Sequence, residues 1–212
     1  MSLLPPTLPT FVPDERFTLD QWQAIERSTN RRYEFHQGVL VSVEAMAGGS
    51  YLHAILSSNV IREFGHQIVT AEVRKPHLVD CHVLTSDLRI AVEGGQRYLY
   101  ADAAIVCGQP TYDEQIPSAI TNPVAVFEVL SPSSDLYDRG LKFDFYAGLE
   151  SLREYILVDQ ERQRVEVRSR ATATNPWSYT TLTDDTTLVE LPALGISCPL
   201  RGLYRGWNSD EV

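Results

Sequence analysis

The sequence predicts an α/β or α+β fold in which a mixed β-sheet is flanked by helices. Helical and extended patterns alternate in the order helix, hairpin, helix, several strands, helix, strands. Residues 124–130 are apolar on both faces apart from one glutamate, which is typical of a central strand covered on both sides. A chain of 212 residues with 43% hydrophobic residues can bury the core of one domain.

The N-terminal part divides into an arm and the start of the domain. Residues 1–17 are proline-rich without periodicity and predict an arm, whereas 18–212 are expected to form a single domain. Thr18 and Gln21 match a capping box, so a first helix is predicted over about 18–29.

A hairpin and a long helix follow. Extended runs at 32–35 and 39–44, separated by the Gly-containing residues 36–38, predict a β-hairpin. Ser50 can then cap a second helix that ends near Gly65. Its apolar stripe consists of Leu52, Ile55, Leu56, Val60 and Phe64.

Residues 69–106 have a β-type composition broken by turn signals. Glu93-Gly94-Gly95 separates the runs 86–92 and 97–107, which predicts another hairpin. Residues 108–123 are expected to form a loop.

The last third begins with a helix over about 135–147, for which Gly148 is a suitable C-terminal residue. The runs 155–158 and 164–168 predict a further hairpin. A weaker β region at 177–191 precedes an expected irregular tail.

The bulk composition limits the possible functions. A net charge of −10 argues against a constitutive, non-specific grip on nucleic acid, because that binding rests on clustered Lys and Arg. Neither a secretory leader nor a membrane-spanning stretch is recognisable, so a soluble cytoplasmic protein is expected.

The three cysteines, Cys81, Cys107 and Cys198, lie far apart in sequence and are odd in number, which predicts reduced, buried thiols.

Glu128 is the polar residue in the apolar strand. Strand alternation places it on the face of Val126 and Leu130. An isolated ionised carboxylate in an apolar interior is too costly, so Glu128 must be protonated, paired with Lys or Arg, or bound to a cation.

Asp102 is a second carboxylate in strongly apolar surroundings, within residues 98–106. If its strand lies beside that of Glu128, the two acids converge and offer oxygen ligands suited to Mg²⁺ or Mn²⁺. Asp87 is a candidate third ligand, although with Arg89 nearby it is equally readable as a surface strand residue.

Lys142 and Tyr146 lie four residues apart on one face of the predicted helix after Glu128. The lysine could orient an attacking water or stabilise phosphate charge, and the tyrosine could contact a phosphate. A solvated helix face explains the same spacing.

Two histidine-containing signals are weaker. His77, Asp80, Cys81 and His82 could suggest zinc, but strand alternation splits them between faces and no second ligand pair follows, so no zinc site is predicted. His53 falls in the first turn of the second helix, where it either caps the turn or approaches the site.

Several segments together resemble the Uma2 family, also called DUF820, a restriction-endonuclease-like group within the PD-(D/E)XK nuclease superfamily. The resemblance runs from about residue 17 to 170. Its segments are Tyr33-Glu34-Phe35 with Gly38, His53 opening a helix, Ser86-Asp87-Leu88, Tyr100-Ala101-Asp102, Phe127-Glu128-Val129-Leu130-Ser131-Pro132-Ser133, Lys142 with Tyr146, and Glu154 to Asp159.

The resemblance implies a restriction-endonuclease-like core with Asp102 and Glu128 as catalytic acids and Mg²⁺ or Mn²⁺ ligands. Glu34 would be an accessory acid, and the match favours His53 lying near the site. Leu130 stands where the superfamily's signature lysine would be, so an active enzyme needs Lys142 in that role.

The leading hypothesis is therefore a Mg²⁺-dependent endonuclease acting on DNA, with the substrate class supplied by the resemblance. The negative charge and Leu130 keep open a catalytically silent module that binds or self-associates through the same fold. A hydrolase with two carboxylates as acid and base is a third possibility. Edge strands and the proline-rich arm make a homodimer plausible.

Overall fold

A computed structural model describes residues 16–43 and 50–208, so most of the predicted arm lies outside the described residues. Within these ranges, no helix is long and apolar enough to cross a membrane. The helices are α1 (Leu19–Thr29), α2 (Tyr51–Ala71), α3 (Asp135–Arg139), α4 (Leu141–Ala147) and α5 (Leu200–Leu203). The strands are β1 (Tyr33–His36), β2 (Val39–Ser42), β3 (Cys81–Thr85), β4 (Arg89–Val92), β5 (Arg97–Tyr100), β6 (Ala103–Cys107), β7 (Ala119–Ile120), β8 (Ala125–Leu130), β9 (Glu154–Asp159), β10 (Val165–Ser169), β11 (Ser178–Leu182), β12 (Leu188–Leu191) and β13 (Ile196–Pro199).

The predicted fold class is confirmed, with the strands divided between two larger mixed sheets. A six-stranded sheet has the order β11-β10-β9-β8-β6-β3, and a five-stranded sheet the order β2-β1-β5-β4-β7. Strands β8 and β9 pair in parallel, whereas β6 and β8 pair antiparallel. Strands β12 and β13 form a separate two-stranded ribbon.

Strand β8 is central and covered on both faces, as its composition predicts. Phe127 belongs to a core shared with α2 and the β12–β13 ribbon. Val126 and Leu130, on the opposite face, belong to a second core that includes Phe143 and Tyr146 of α4. Glu128 lies on this second face, and the six-stranded sheet therefore separates it from α2's main packing surface.

The first hairpin has a tighter turn than the sequence predicts. His36 is the last residue of β1 and pairs with Val39, which leaves Gln37 and Gly38 as a two-residue turn. Both turn residues have positive φ, +51° and +94°, as the two-residue turns that match strand twist require.

The predicted strand 97–107 is in fact two strands in different sheets. Strand β5 belongs to the five-stranded sheet and β6 to the six-stranded sheet. The chain changes sheet at Ala101-Asp102, so Asp102 lies at a break and not inside a strand. Both halves are apolar, and the pattern alone therefore gives no sign of the change.

The helix predicted over 135–147 is broken at Gly140, whose backbone is non-helical (φ −109°, ψ −101°). The two pieces are α3 and α4, and α4 ends at Ala147 beside Gly148 as predicted. Helix α3 packs against β8, and Nζ of Lys142 on α4 lies 3.4 Å from Oδ1 of Asp138 across the break.

Four predictions of element bounds are corrected, and the first concerns the second helix, which continues past Gly65 and ends at Ala71. The strand predicted from residue 86 begins at Arg89, and the predicted loop at 108–123 contains β7, which pairs with β4. The C-terminal tail is ordered structure, because β13 and α5 pack on α2, where the Asn59 amide donates to the Leu203 carbonyl at 2.7 Å. These contacts join distant parts of the chain, so a local pattern does not reveal them.

The prediction of three reduced cysteines is wrong. Cys81 and Cys107 are bonded as a disulfide, and Cys198 is free and buried. The reason is strand pairing, since Cys81 on β3 lies directly opposite Cys107 on antiparallel β6. Their separation of 26 residues hides a contact that the sheet creates.

Candidate active site

A cavity of about 460 Å³ lies where the two large sheets meet the N-terminal half of α2 and the helices α3 and α4. Of the predicted site residues, it is lined by His53, Asp102, Glu128 and Lys142. The other polar or charged residues that line it are Arg32, Ser57, Ser58, Thr85, Ser86, Tyr100, Ser134 and Asp138.

Asp102 and Glu128 converge because β6 and β8 are neighbours. Ala103 pairs with Phe127 in this antiparallel ladder, and continuing the register by one residue places Asp102 opposite Glu128. The Asp102 carboxylate accepts a hydrogen bond of 2.7 Å from the backbone N–H of Val129. The backbone of β8 thus holds the aspartate beside the glutamate.

Lys142 of α4 lies among three buried carboxylates. Its Nζ is 2.9 Å from Oε1 of Glu128, 3.4 Å from Oε1 of Glu34 and 3.4 Å from Oδ1 of Asp138. The lysine side chain is only 6% exposed. A buried ammonium of this kind needs such partners, because desolvation of an unpaired charge is costly.

The charges in this cluster shift one another's protonation. Burial raises the pKa of Glu128 well above its ordinary value, although the Lys142 ammonium acts in the opposite direction. Burial likewise raises the pKa of Asp138 to about 6. For Lys142, burial lowers the pKa, but the surrounding carboxylates outweigh it and keep the ammonium protonated.

Glu34 of β1 connects Lys142 to a second group of polar side chains. Its carboxylate accepts hydrogen bonds from the backbone N–H of Tyr100 at 3.3 Å and from the Tyr137 hydroxyl at 2.5 Å. The His36 imidazole lies 3.2 Å from the same carboxylate. Burial opposes ionisation of Glu34, but Lys142 and the hydrogen bonds lower its pKa.

His53 contacts Asp102 from the first turn of α2. Its Nε2 lies 3.3 Å from Oδ2 of Asp102, and the side chains are 13% and 18% exposed. The Ser50 hydroxyl accepts from the His53 backbone N–H at 3.0 Å and donates to the Gln160 side chain, which fixes the start of the helix. The imidazole itself therefore does not cap the helix and is free to face the cavity.

Three predicted residues do not line the cavity: Asp87, Tyr146 and Glu34, although Glu34 contacts Lys142. Asp87 is 89% exposed and forms an ion pair with Arg32 at 3.5 Å, so its surface interpretation fits the structure better than a ligand role. Tyr146 is fully buried in the second core and does not line the cavity. Contact between Tyr146 and a phosphate would require the core to open.

Sequence reasoning missed Asp138 and Arg32. Asp138 looks like an ordinary acidic residue near the start of a helix, yet its spacing of four from Lys142 could have identified the pair. Arg32 lines the cavity and donates from its guanidinium to the Ser86 carbonyl at 2.5 Å. No local pattern distinguishes it, because its role depends on the packing of β1 against the β3–β4 turn.

The donor set suits a hard cation that keeps much of its water. Within residues 16–43 and 50–208, no group of three or more His, Cys, Asp and Glu side chains is arranged to hold a metal ion. Mg²⁺ commonly takes only one or two protein carboxylates together with waters and substrate phosphate. Asp102 and Glu128 meet that requirement, since both carry oxygen donors to the same cavity.

Comparison with known proteins identifies relatives over most of the chain. The family model "Uma2: Putative restriction endonuclease" matches residues 15–201. An "Uncharacterized protein" of Synechocystis sp. is 29% identical over 198 residues, covering 93% of each chain. A second protein of that organism, with the same description, is 30% identical over 141 residues, covering 66% of this chain and 73% of its own.

A solved structure shares the fold. It is described as the crystal structure of a putative nuclease belonging to DUF820 from Anabaena variabilis, and it superposes with a TM-score of 0.63. The match covers 90% of this chain and 98% of the other at 15% identity, so the likeness concerns the fold. The extent of the family match carries the assignment, and the chain belongs to the Uma2 family of restriction-endonuclease-like proteins.

Proposed function

We propose that this protein is a divalent-metal-dependent nuclease that hydrolyses phosphodiester bonds in DNA. The observation that carries the proposal is the meeting of Asp102, Glu128 and Lys142 in one cavity, although these residues come from three separate segments of the chain. Family membership and the shared fold support the nuclease class. The choice of a divalent cation and of DNA as the substrate is our proposal.

The electrostatics of the cavity support a bound cation. Three acidic residues, Asp102, Glu128 and Asp138, line it together with two cationic residues, Arg32 and Lys142, in the described part of the chain. Because the acids outnumber the cations, added positive charge would favour the approach of a phosphodiester. Asp102 and Glu128 would hold Mg²⁺ or Mn²⁺, which when bound polarises phosphate oxygens and lowers the pKa of its water.

The protein's own residues would then position the substrate. Lys142 is held by contacts with the carboxylates of Glu34, Glu128 and Asp138, so its ammonium is positioned before a substrate binds. This placement suits a group that stabilises charge on the reacting phosphate. Arg32, at the cavity wall, is placed to contact a neighbouring phosphate of the strand.

Nicking of supercoiled plasmid tests the proposal. We expect the purified protein to convert supercoiled plasmid to open-circle or linear DNA with Mg²⁺ or Mn²⁺, and to lose this activity with a chelator. Asp102→Asn, Glu128→Gln and Lys142→Met should each lower the cleavage rate by about a hundredfold or more, because each removes a ligand or charge acting at the reacting phosphate.

Asp87→Asn is the matched control, since it removes one carboxylate that does not line the cavity. It should cleave as the wild type does. Equal cleavage by wild type, Asp102→Asn and Glu128→Gln would show that the activity comes from elsewhere. Mn²⁺ binding without cleavage of any DNA substrate would favour a silent module over a nuclease.

A further inference from the structure

A second cavity, of about 520 Å³, lies on the other face of the six-stranded sheet. Glu154 opens β9 and shares the strand face of Ile156 and Val158, which pack in the core beneath α2. Glu128 belongs to the opposite face. The two cavities are therefore separate, and the nuclease chemistry does not use this one.

Glu154 is a buried carboxylate with one oxygen satisfied and one not. Its residue is 1% exposed, and Oε1 accepts from the backbone N–H of Ala193 at 2.8 Å. Among the described residues, no donor forms a hydrogen bond with Oε2. A buried polar atom without a partner is unfavourable, so a ligand that supplies a donor to Oε2 gains affinity.

The neighbouring cations do not serve this oxygen. The Arg170 guanidinium donates to the Leu152 carbonyl at 2.9 Å, to the Ala173 carbonyl at 3.0 Å and to the Leu149 carbonyl. The Arg153 guanidinium donates at 2.6 Å to the Glu150 carbonyl. Each guanidinium thus donates to backbone carbonyls, and neither forms a hydrogen bond with Oε2 of Glu154.

Arg170 also lines the cavity, with its guanidinium donating to the three backbone carbonyls named above, and the other lining side chains are short or apolar apart from Asn175. Ser169 and Ser178 hydroxyls lie 2.9 Å apart and bond each other. The other lining residues are Ala171, Asn175, Pro176, Pro192 and Ala193. The volume falls in the range of about 300–1,000 Å³ typical of sites for small organic ligands.

We propose that this cavity binds a small organic ammonium ion, with an N–H of the ligand donating to Oε2 of Glu154 and its hydrocarbon part contacting Pro176 and Pro192. A cationic donor is favoured over a neutral one because its hydrogen bond to a carboxylate is charge-assisted. Burial raises the pKa of Glu154 to about 7, and a bound cation would favour the ionised form.

Amide chemical-shift titration with n-butylammonium chloride tests the site, with n-butanol as a neutral probe of similar size. In wild type, we expect saturable shifts at the Ser169 and Ala193 amides and affinity about tenfold or more above that for n-butanol. Glu154→Gln should weaken ammonium binding by at least a similar factor. Glu150→Gln removes an exposed charge nearby and should leave it unchanged.

The proposal is overturned by wild-type protein that shows no saturable shift at these amides, which would mean that the cavity holds only water. Equal affinity for n-butanol and n-butylammonium would overturn it as well, and this comparison does not require any variant to fold. Loss of ammonium binding in both Glu154→Gln and Glu150→Gln would show that binding depends on the overall negative charge of this region, and it would also contradict the proposal. None of these outcomes depends on nuclease activity.

Discussion

At the scale of single residues, the site is a balance of buried charges around Lys142. Glu128 is anomalous in the sequence because an acid interrupts an otherwise apolar strand, and this anomaly suffices to single it out. Asp138 gives no such signal, since acids near helix starts are common. What makes Asp138 unusual is its 3% exposure, and burial arises from packing of α3 on β8, which no local pattern predicts.

Removing the charge of Lys142 should destabilise the fold. In Lys142→Met, the carboxylates of Glu34, Glu128 and Asp138 lose their shared cation, and we expect a loss of about 3–5 kcal/mol at neutral pH. The loss should be smaller at pH 5, where these acids can take up protons. Denaturant unfolding measures it, and Lys75→Met, whose ammonium contacts the Gly195 carbonyl, is the control.

Glu154 should make stability depend on pH. Burial raises its pKa from an ordinary 4.5 to about 7, so between these values the folded state holds a proton that the unfolded state has lost. The contribution of this bound proton to the free energy of unfolding is therefore fully present below pH 4.5, and it is lost as the pH rises to about 7. Its size is about 3 kcal/mol.

Comparison of wild type with Glu154→Gln isolates this contribution. Urea unfolding in amine-free phosphate buffer should show the wild type losing stability relative to the variant between pH 5 and pH 8 by roughly that amount. Parallel stability curves for the two proteins would mean that Glu154 titrates normally and is not desolvated.

At the scale of elements, patterns within one segment are predicted well and changes of partner are not. Helix α1, with the predicted Thr18–Gln21 capping box, and strand β8 follow their hydrophobic patterns closely. The split of 97–107 between two sheets is invisible because both halves are apolar. Similarly, the break at Gly140 leaves the helical hydrophobic pattern intact, so the pattern gives no sign of it. In the structure, a Cβ at Gly140 would lie 3.1 Å from the Leu136 carbonyl oxygen.

The turn between β1 and β2 should be sensitive to a side chain at Gly38. A Cβ there would lie 3.3 Å from both the Arg16 Cδ and the Phe17 carbonyl, in addition to the cost of φ +94°. We expect Gly38→Ala to destabilise by about 2–3 kcal/mol. Gly94→Ala, at φ +65° with nothing within 4 Å, should cost only about 1 kcal/mol. Equal losses in thermal unfolding would show that the Phe17 contact contributes nothing.

At the scale of the whole molecule, the proposed nuclease would have to bind negatively charged DNA although its own net charge is −10. Strong non-specific binding to DNA requires many phosphate contacts by cations. Arg32 and Lys142 are the Arg and Lys residues that line the cavity in the described part of the chain. Charge composition alone argues against DNA binding, and under the proposed function a divalent ion in the cavity would add its own positive charge to these two cations.

DNA binding should accordingly depend only weakly on salt. With about two phosphate contacts, the slope of log K against log salt concentration is expected near −2 for the Glu128→Gln variant in Mg²⁺. Fluorescence anisotropy with a labelled duplex measures the slope. A slope steeper than about −6 would reveal a broad basic surface and contradict this account.

The central claim is that Asp102 and Glu128 act together on one divalent cation. Anomalous diffraction from crystals soaked in Mn²⁺ tests it most directly, because it locates the ion independently of any activity. We expect one peak in the cavity, about 2.2 Å from a carboxylate oxygen of each residue. A peak bound elsewhere, or no peak at these two carboxylates at saturating Mn²⁺, would contradict it.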